Sequence, residues 1–275
     1  MDNMKEIFKK YCCLLFFICL YIYLDILHEN GFKNNFKIIS KKNNDLITNF
    51  HLFSNYKYEN SSKNYWEKRY SKGGNSGAGS YKNLALFKAS IINNFVIKNH
   101  INTVIEWGSG DCNQLSLANY KNYIGYDVSQ TAIKICKKKF KNDMTKTFIH
   151  MSGNFTNDKK ADLSISLDVI YHLLEDDVFN LYMQNLFNSS KKYVCIYSSN
   201  VDKKWEKHVR HRKFTDWIDK YISNEWKIKK IIPNKYPFDI KNQSFTSFSD
   251  LYFYEKIDCK FRFFKMPSFF QRIFL

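Results

Sequence analysis

Residues 103–115, TVIEWGSGDCNQL, place two glycines directly after a short apolar run. A chain that turns at Gly108 and Gly110 can bend sharply off a strand and bring its backbone N–H groups close to a ligand, because no Cβ is in the way. Asp127 lies 17 residues beyond Gly110, at the end of the next apolar run. A carboxylate there can accept hydrogen bonds from the hydroxyls of a ribose. The spacing therefore predicts a nucleoside-binding site.

Two further positions indicate the kind of nucleoside. The dinucleotide fingerprint G-x-G-x-x-G would place a third glycine at position 113, where this chain has Asn113. Glu106 lies two residues before the first glycine, where its carboxylate would repel a pyrophosphate but attract the ammonium group of an amino acid. A nucleoside that carries an amino-acid tail fits both ends of such a site. S-adenosylmethionine is a nucleoside of this kind.

The elements around this stretch alternate between strands and helices. Apolar residues recur at three- and four-residue spacing from Leu84 to Val96, as on one face of a helix. Residues 103–106 form a short β-branched run that is typical of a buried parallel strand. The following segments are predicted to be a helix in QLSLANY, a strand in NYIGYDVS and a helix in QTAIKICKKKF. Together they predict a βαβ nucleotide-binding unit.

The rest of the chain continues the alternation. Residues 148–151 are predicted to be the third strand, ADLSISL the fourth and YVCIYSS the fifth, with a helix in DDVFNLYMQNLF. Near the end, EWKIKKIIP and SDLYFYEKI alternate as an antiparallel pair would. The pattern predicts one α/β domain over residues 64–257.

These features resemble the class I S-adenosylmethionine-dependent methyltransferases, whose first motif is acid-x-G-x-G-x-G. The resemblance covers roughly residues 65–256, and Cys112 replaces the third glycine, which we expect to lower the affinity for the cofactor. It implies a Rossmann-like three-layer sandwich with a mostly parallel seven-stranded sheet and an antiparallel C-terminal strand pair. The stretches YWEKRYSKGGNSGAGS, SLDVIYHLLEDD and YSSN further resemble a group of largely uncharacterised bacterial and phage methyltransferases.

The resemblance also implies roles for individual residues. The first motif would hold the methionine end of the cofactor, and the residues that close the second strand would bind the ribose. These residues are Glu106, Gly108, Gly110, Asp127 and Val128. Asp168, at the end of the fourth strand, would lie near the transferred methyl group. Trp66, Arg69 and Tyr70 would cover the cofactor, by analogy with the W-x-x-x-Y openings of many methyltransferases; alternatively, they form a helix that packs on the sheet.

Catalysis in such an enzyme needs little chemistry from the protein. The sulfonium is already an activated methyl donor, so the site mainly aligns nucleophile, methyl group and sulfur. When the acceptor must lose a proton, the candidate base is His172, four residues after Asp168, because the ordinary pKa of histidine is near neutrality. We assign His172 and Asp168 to the catalytic centre. The alternative for His172 is a structural role in a strand-to-helix loop.

A basic stretch after the fifth strand is the candidate acceptor site. HVRHRKF contains His208, Arg210, His211 and Arg212, and a helix there would place His208, His211 and Arg212 on one face. Such a cluster suits a phosphate or a carboxylate on the acceptor. The alternative is a solvated basic loop. A metal site is disfavoured, because no further ligands lie at suitable spacing.

The formal net charge of +17 ordinarily suggests a partner such as nucleic acid or an acidic membrane. Lys, Asn, Ile, Phe and Tyr are abundant throughout the chain, however, so the charge is partly a compositional background. The fourth strand is followed by DVIY rather than by the N-P-P-[YF] motif of enzymes that methylate base amino groups. We therefore expect a small-molecule or lipid-like acceptor. An enzyme that acts on nucleic acid or protein and a binding module without turnover are the alternatives.

The two ends of the chain have a different composition. Residues 11–24 are an apolar run preceded by lysines, which predicts a signal peptide or signal anchor over residues 1–28, with membrane association through residues 11–27. Residues 29–63 are predicted to be an Asn/Lys-rich linker or transit segment. Residues 258–275 form a basic, aromatic tail that suits a membrane surface, a partner groove or a covered strand edge. We expect a membrane-associated, secretory-pathway or organelle-targeted protein; plastid targeting and a placement that faces the cytoplasm are both open.

The seven cysteines show no C-x-x-C pair and no regular framework. This pattern favours a reduced mature protein without disulfide bonds.

Overall fold

The structure, a computed structural model, describes residues 61–152, 158–206 and 208–257. The predicted signal segment 1–28 and the tail 258–275 lie outside the described residues, as does the predicted linker up to residue 60. Within the described ranges, no helix combines the length and the apolarity that crossing a bilayer requires.

The helices and strands alternate as the sequence predicts. The α-helices are α1 (Ser62–Ser71), α2 (Lys82–Lys98), α3 (Gln130–Lys139), α4 (Asp176–Asn188) and α5 (Phe214–Tyr221). The strands are β1 (Thr103–Trp107), β2 (Asn122–Asp127), β3 (Lys146–His150), β4 (Ala161–Leu167), β5 (Ser190–Ser198), β6 (Lys203–Glu206), β7 (Val209–His211), β8 (Trp226–Ile232) and β9 (Asp250–Lys256). Short 3₁₀ turns lie at Ala78–Ser80, Gln114–Leu117, Ile170–His172 and Ile240–Asn242.

Seven strands form one sheet in the order β3-β2-β1-β4-β5-β9-β8. The strands from β3 to β5 are parallel, and β9 runs antiparallel between β5 and β8. This arrangement confirms the predicted fold class and the predicted C-terminal strand pair. The strand order reverses between β1 and β4, and in open α/β sheets ligands bind outside the carboxyl ends of the strands at such a point. Strands β6 and β7 form a separate hairpin.

Each face of the sheet has its own apolar core, because successive side chains of a strand point to opposite faces. On one face, Ile105 and Trp107 of β1 pack in a cluster with Met183 of α4 and Phe214 of α5. On the other face, Val104 belongs to a cluster that includes residues of α2 and α3. The result is the three-layer sandwich that the sequence predicts, with the carboxyl ends of β1, β2 and β4 at one edge.

One predicted helix is shorter than expected. QLSLANY forms only the 3₁₀ turn Gln114–Leu117. Asn93 of α2 ends this turn, since its side-chain amide donates to the carbonyl O of Leu117 and its side-chain oxygen accepts from the backbone N–H of Asn119. These bonds take the backbone groups that a longer helix would use.

The expectation of a protein without disulfides is wrong. Cys112, directly after the glycine turn, is bonded to Cys136 of α3, with the two Cα atoms 5.5 Å apart. The fold brings the two cysteines together. Strand β2 lies beside β1 and parallel to it, so helix α3, which follows β2, packs near the loop that follows β1. A separation of 24 residues matches no short cysteine motif, so spacing alone did not indicate the bond. Cys195 is buried and free.

Candidate functional site

The glycine turn lies at the carboxyl end of β1, against the loops that follow β4 and α1. Gly108 and Gly110 have φ angles of 88° and 55°, which glycine adopts without strain. A Cβ on Gly108 would lie 2.5 Å from Cγ2 of Val169, and one on Gly110 would lie 2.3 Å from Oγ of Ser76. Both positions therefore require glycine for conformation and for close approach.

The backbone N–H groups of this turn bond to the protein, whereas the sequence predicted that they would face a ligand. The amides of Gly108 and Ser109 donate to the carbonyl O of Tyr126 at 2.8 and 2.9 Å. The amide of Gly110 donates to Oδ2 of Asp127 at 2.8 Å. The turn is thus tied to the end of β2, and its glycines are needed for its shape.

Cys112, at the third glycine position of the motif, also has the backbone conformation of a glycine. Its φ angle is 58°, in the left-handed region that residues with a Cβ rarely adopt. The disulfide to Cys136 attaches the end of the glycine turn to α3. A covalent bond therefore fixes a conformation that glycine would reach freely.

Asp127 closes β2 and is almost completely buried beside the turn. Its Oδ2 accepts from the amide of Gly110, and its Oδ1 accepts from the amide of Ser129 at 2.8 Å. Burial raises the pKa of Asp127 to about 6. The carbonyl O of Val128, the next residue, lies 3.1 Å from Nε2 of His150. Each oxygen of the Asp127 carboxylate keeps a lone pair for a further donor.

Glu106 is in the predicted position on β1, but its carboxylate is bonded inside the protein. The hydroxyl of Tyr123 on β2 donates to Oε2 at 2.5 Å, and Glu106 is only 3% exposed. Burial raises the pKa of Glu106 to about 7. The predicted contact of this residue with an ammonium group stays a prediction.

Asp168 follows β4 and lies against the 3₁₀ turn Ala78–Ser80, which contains Gly79. It has a positive φ of 62°, and a Cβ on Gly79 would lie 2.4 Å from its Oδ2. The hydroxyl of Tyr171 donates to Oδ1 at 2.8 Å, and Nζ of Lys88 lies 2.5 Å from Oδ2. Asp168 is therefore half of an ion pair rather than a free proton acceptor.

Sequence reasoning missed Lys88, although a signal was present. The buried face of α2 consists of Leu84, Ala85, Lys88, Ala89, Ile92 and Val96. A lysine at helical spacing within an apolar face needs a buried acidic partner. Asp168, 80 residues further along the chain, is that partner.

Helix α1 lies across the loops that follow β2 and β4. At its start, the backbone N–H of Ser62 donates to Oε1 of Glu175 at 3.1 Å, and the Ser62 hydroxyl donates to the other carboxylate oxygen. In its middle, Glu67 accepts from the hydroxyls of Ser129 and Thr131, both at 2.6 Å. This placement brings α1 to the carboxyl edge of the sheet, and the covering role predicted for its residues stays a prediction.

The three predicted covering residues lie in the middle and at the end of α1, which leads into a loop that contacts the glycine turn. Arg69 lies over the ring of Trp66 and donates through Nε to the carbonyl O of Asn75 at 2.6 Å. The Tyr70 hydroxyl lies 2.9 Å from Oγ of Ser76.

Asp111, which sequence reasoning also missed, joins that loop to the turn. Its Oδ2 accepts from the amide of Ser76 at 2.9 Å and from the hydroxyl of Tyr81 at 2.7 Å. Its own amide donates to Oγ of Ser76 at 2.9 Å. Sequence reasoning had used Glu106, the glycines, Cys112 and Asn113 of this stretch but not Asp111; the extra acid between Gly110 and Cys112 was the signal.

His172 lies in the 3₁₀ turn after Asp168 and is partly buried. Its Nδ1 is 3.0 Å from the carbonyl O of His208, and a carbonyl can only accept, so Nδ1 carries the proton. Burial lowers the pKa of His172 to about 4. The ring is therefore neutral at physiological pH and a weaker base at Nε2 than an ordinary histidine, so the near-neutral pKa on which its predicted base role rested does not hold. The edge of the Trp66 ring meets it at 4.9 Å between ring centres.

The basic stretch that was predicted to bind the acceptor is a hairpin rather than a helix, and it does not form an open cluster. Arg212 is buried and donates to the carbonyl oxygens of Leu173 and Leu174 and to Asp176. Arg210 donates to the Leu174 carbonyl O and contacts Asp176.

The two histidines of the stretch also make internal contacts. Nδ1 of His211 lies 2.6 Å from Oγ of Ser199. The ring of His208 stacks on Tyr65 with the ring centres 4.7 Å apart. The hairpin thus holds the turn that carries His172, and binding of an acidic acceptor by these four residues stays a prediction. Among the residues that the structure describes, no group of three His, Cys, Asp or Glu side chains could hold a metal ion.

Solved structures with the same architecture come from methyltransferases. The methyltransferase domain of bacterial CtHen1-C superimposes with a TM-score of 0.51 at 17% identity, over 63% of this chain and 98% of that domain. Magnesium protoporphyrin IX methyltransferase from Synechocystis PCC 6803, solved with bound SAH, gives a TM-score of 0.50 at 13% identity, over 62% and 83% of the two chains. The fold is that of the class I methyltransferases.

The similarity to these methyltransferases is in the fold and not in the sequence. No protein-family model and no curated protein sequence matches the chain. A second form of the bacterial domain, CtHen1-CN, reaches 18% identity and is covered over its whole length. The comparison therefore establishes the fold, and the assignment of a reaction depends on the residues at the edge of the sheet.

Proposed function

We propose that this chain is an S-adenosylmethionine-dependent methyltransferase. The main support is the carboxylate of Asp127, which lies beside the glycine turn with one lone pair on each oxygen left for the hydroxyls of a ribose. It lies at the carboxyl end of β2, the neighbour of β1, and β1 borders the strand-order reversal; the solved Synechocystis methyltransferase of this fold holds SAH. The proposed resemblance to uncharacterised bacterial and phage enzymes is supported by the three quoted sequence stretches.

The cofactor supplies an activated methyl group, so the protein must chiefly position the reactants. Trp66, Arg69 and Tyr70 close the site from α1, and Asp168 borders it from β4. His172 takes a proton from the acceptor through Nε2, because Nδ1 is held by the His208 carbonyl O; with its pKa lowered to about 4 it is a weak base, so it suits an acceptor whose proton is itself acidic. With the Lys88 ammonium on Oδ2, Asp168 is better suited to orientation than to proton transfer.

We propose a small-molecule or lipid-like acceptor. Two aromatic rings lie against His172: Trp66 at 4.9 Å and Tyr171 at 4.5 Å between ring centres, and Phe248 packs on Tyr171 at 5.2 Å. Aromatic side chains at this place favour a flat or apolar group. Methylation of nucleic acid or protein, and cofactor binding without turnover, are the alternatives.

We also propose that the protein works at a membrane or inside a secretory or organelle compartment. The support is the apolar run of residues 11–24 together with the Cys112–Cys136 disulfide, because disulfide bonds persist mainly in oxidising compartments.

Titration calorimetry of the full-length chain tests the proposed cofactor. We expect micromolar binding of S-adenosylmethionine and S-adenosylhomocysteine and none of NAD. Asp127→Ala should weaken the binding of S-adenosylmethionine and of S-adenosylhomocysteine by about a hundredfold, because two charge-assisted hydrogen bonds are lost. Asp143→Ala, a change at an exposed aspartate, is the matched control and should bind as the wild type does. A folded wild-type protein that binds neither compound would overturn the proposal.

A further inference from the structure

Lys88 is a fully buried lysine on the apolar face of α2. Its neighbours one helical turn away on either side, Leu84 and Ile92, are also fully buried. Taking an ammonium group out of water costs several kcal/mol, and an apolar side chain of similar size would avoid that cost. Stability alone therefore does not explain a lysine at this position.

The ammonium group interacts with two carboxylates, those of Asp168 after β4 and Glu106 in β1. Its Nζ is 2.5 Å from Oδ2 of Asp168 and 4.8 Å from the centre of the Tyr197 ring. Burial raises the pKa of Glu106, while the hydrogen bond from Tyr123 and the positive charge of Lys88 act in the opposite direction. Lys88 thus offsets negative charge at the ends of both β1 and β4.

The Asp168 carboxylate faces the region where the glycine turn and the loop after α1 meet. The missing Cβ of Gly79 leaves room for Oδ2 of Asp168. The side chain of Val169, the next residue, fills the space that a Cβ on Gly108 would need. An unpaired carboxylate at this place would attract a sulfonium strongly. Paired with the ammonium of Lys88, it presents little net charge.

We propose that Lys88 is a positioning residue that sets the charge of the methyl-donor site. This inference rests on the proposed function and deepens it. Methyl transfer forms a bond from the acceptor atom to the methyl carbon and breaks the carbon–sulfur bond. The electron pair stays on sulfur, which loses its positive charge. By neutralising the Asp168 carboxylate, the ammonium of Lys88 removes an attraction that would stabilise the charged sulfonium over the neutral thioether, so it favours transfer.

Titration calorimetry of four full-length proteins tests this inference through the ratio of the two dissociation constants. Lys88→Met should shift the ratio about tenfold in favour of S-adenosylmethionine, because the sulfonium then meets an unpaired carboxylate. Asp168→Asn should shift it about tenfold in favour of S-adenosylhomocysteine, because the ammonium is then unpaired. The double variant carries a neutral pair and should return to within about twofold of the wild type.

A purely structural role for Lys88 would change both constants together and leave their ratio constant. If Lys88→Met does not fold, Asp168→Asn should still shift the ratio in favour of S-adenosylhomocysteine, and the double variant should still return it to within about twofold of the wild type. A ratio that stays within about twofold of the wild type in every folded variant would overturn the inference and leave the cofactor assignment intact. A wild-type protein that binds neither compound would overturn both.

Discussion

The cofactor half and the acceptor half of the candidate site are assembled in different ways. In the cofactor half, from β1 to α3, partners are close in the chain: Gly110 and Asp127 are 17 residues apart, and the disulfide spans 24. In the acceptor half, the turn after β4 is held by the β6–β7 hairpin. There His172 and His208 are 36 residues apart, and Arg212 and Leu173 are 39 apart.

This difference has a consequence for how the site can vary. The cofactor half belongs to one βαβ unit, so its motif largely determines its geometry. The acceptor half depends on an added hairpin whose side chains bond to the backbone of another loop. Its acceptor specificity can therefore change with the hairpin while the cofactor half stays the same.

The largest expected effect tests whether Arg212 is structural. Arg212→Met removes donors from the carbonyl oxygens of Leu173 and Leu174 and the bond to Asp176. We expect a loss of about 4 kcal/mol in the free energy of unfolding, because the carbonyl O of the buried Leu173 loses both bonds from Arg212, while the Leu174 carbonyl O keeps only the bond from Arg210. Urea denaturation followed by circular dichroism measures it.

Arg210→Ala is the matched control. Arg210 contacts the same Asp176, but its side chain is 40% exposed, so its removal should cost less than about 1 kcal/mol. Equal losses for the two variants would contradict the distinction between a buried structural arginine and a surface one.

The next effect tests the disulfide of the cofactor half. Reduction should lower the free energy of unfolding by about 3 kcal/mol, as expected for a closed loop of this size. It should also weaken cofactor binding, because Cys112 then has to hold a left-handed conformation without the bond. Thermal unfolding and calorimetry with and without dithiothreitol measure the two effects.

Cys112→Gly and Cys112→Ser separate the two contributions of the disulfide. Both variants lack the bond, but only glycine adopts a φ of 58° freely, so the glycine variant should be more stable by about 1 kcal/mol and bind the cofactor more tightly. Cys195→Ser leaves the bond intact and should keep the response to reductant. Identical behaviour of the glycine and serine variants would show that the backbone conformation at position 112 is unimportant.

Much of the cofactor half could be predicted from the sequence. The apolar run, Gly108, Gly110 and Asp127 follow the chain order of a βαβ unit, so spacing alone places them at one edge of the sheet. The internal bonding of the turn amides could not be predicted, because it depends on the exact approach of β2. The disulfide could not be predicted for a related reason: the fold, rather than a short sequence motif, brings Cys112 and Cys136 together.

The acceptor half was much less predictable. A helical pattern in HVRHRKF assumed that local spacing decides which side chains share a face, but β7 and its pairing with β6 change those directions. The role of Arg212 depends on a partner 39 residues away, and that of Lys88, which lies outside the acceptor half, on a partner 80 residues away. A single sequence contains little information on such pairs, apart from the unusual place of a lysine on an apolar helix face.

The smallest expected effect is a pH dependence within the cofactor half. The pKa of Asp127 is raised from its ordinary value of 3.8 to about 6, so its carboxylate becomes protonated as the pH falls below 6. Cofactor affinity should then fall by up to about tenfold per pH unit, because the protonated group accepts ribose hydrogen bonds poorly. The contribution of Asp127 to folding has the opposite sign: a raised pKa means that protonation favours the folded state, so this contribution grows as the pH falls through 6.

The same titration decides the role of Glu106, whose pKa is raised to about 7. If its carboxylate holds the ammonium of the cofactor, affinity should already begin to fall near pH 7, and Glu106→Gln should remove that first step. If the bond from Tyr123 is its whole role, the fall near pH 6 should be the only one and should persist in Glu106→Gln. Asp127→Asn should bind weakly and show no step near pH 6. Calorimetric dissociation constants between pH 5 and pH 8 therefore separate a ligand-binding acid from a structural one on neighbouring strands.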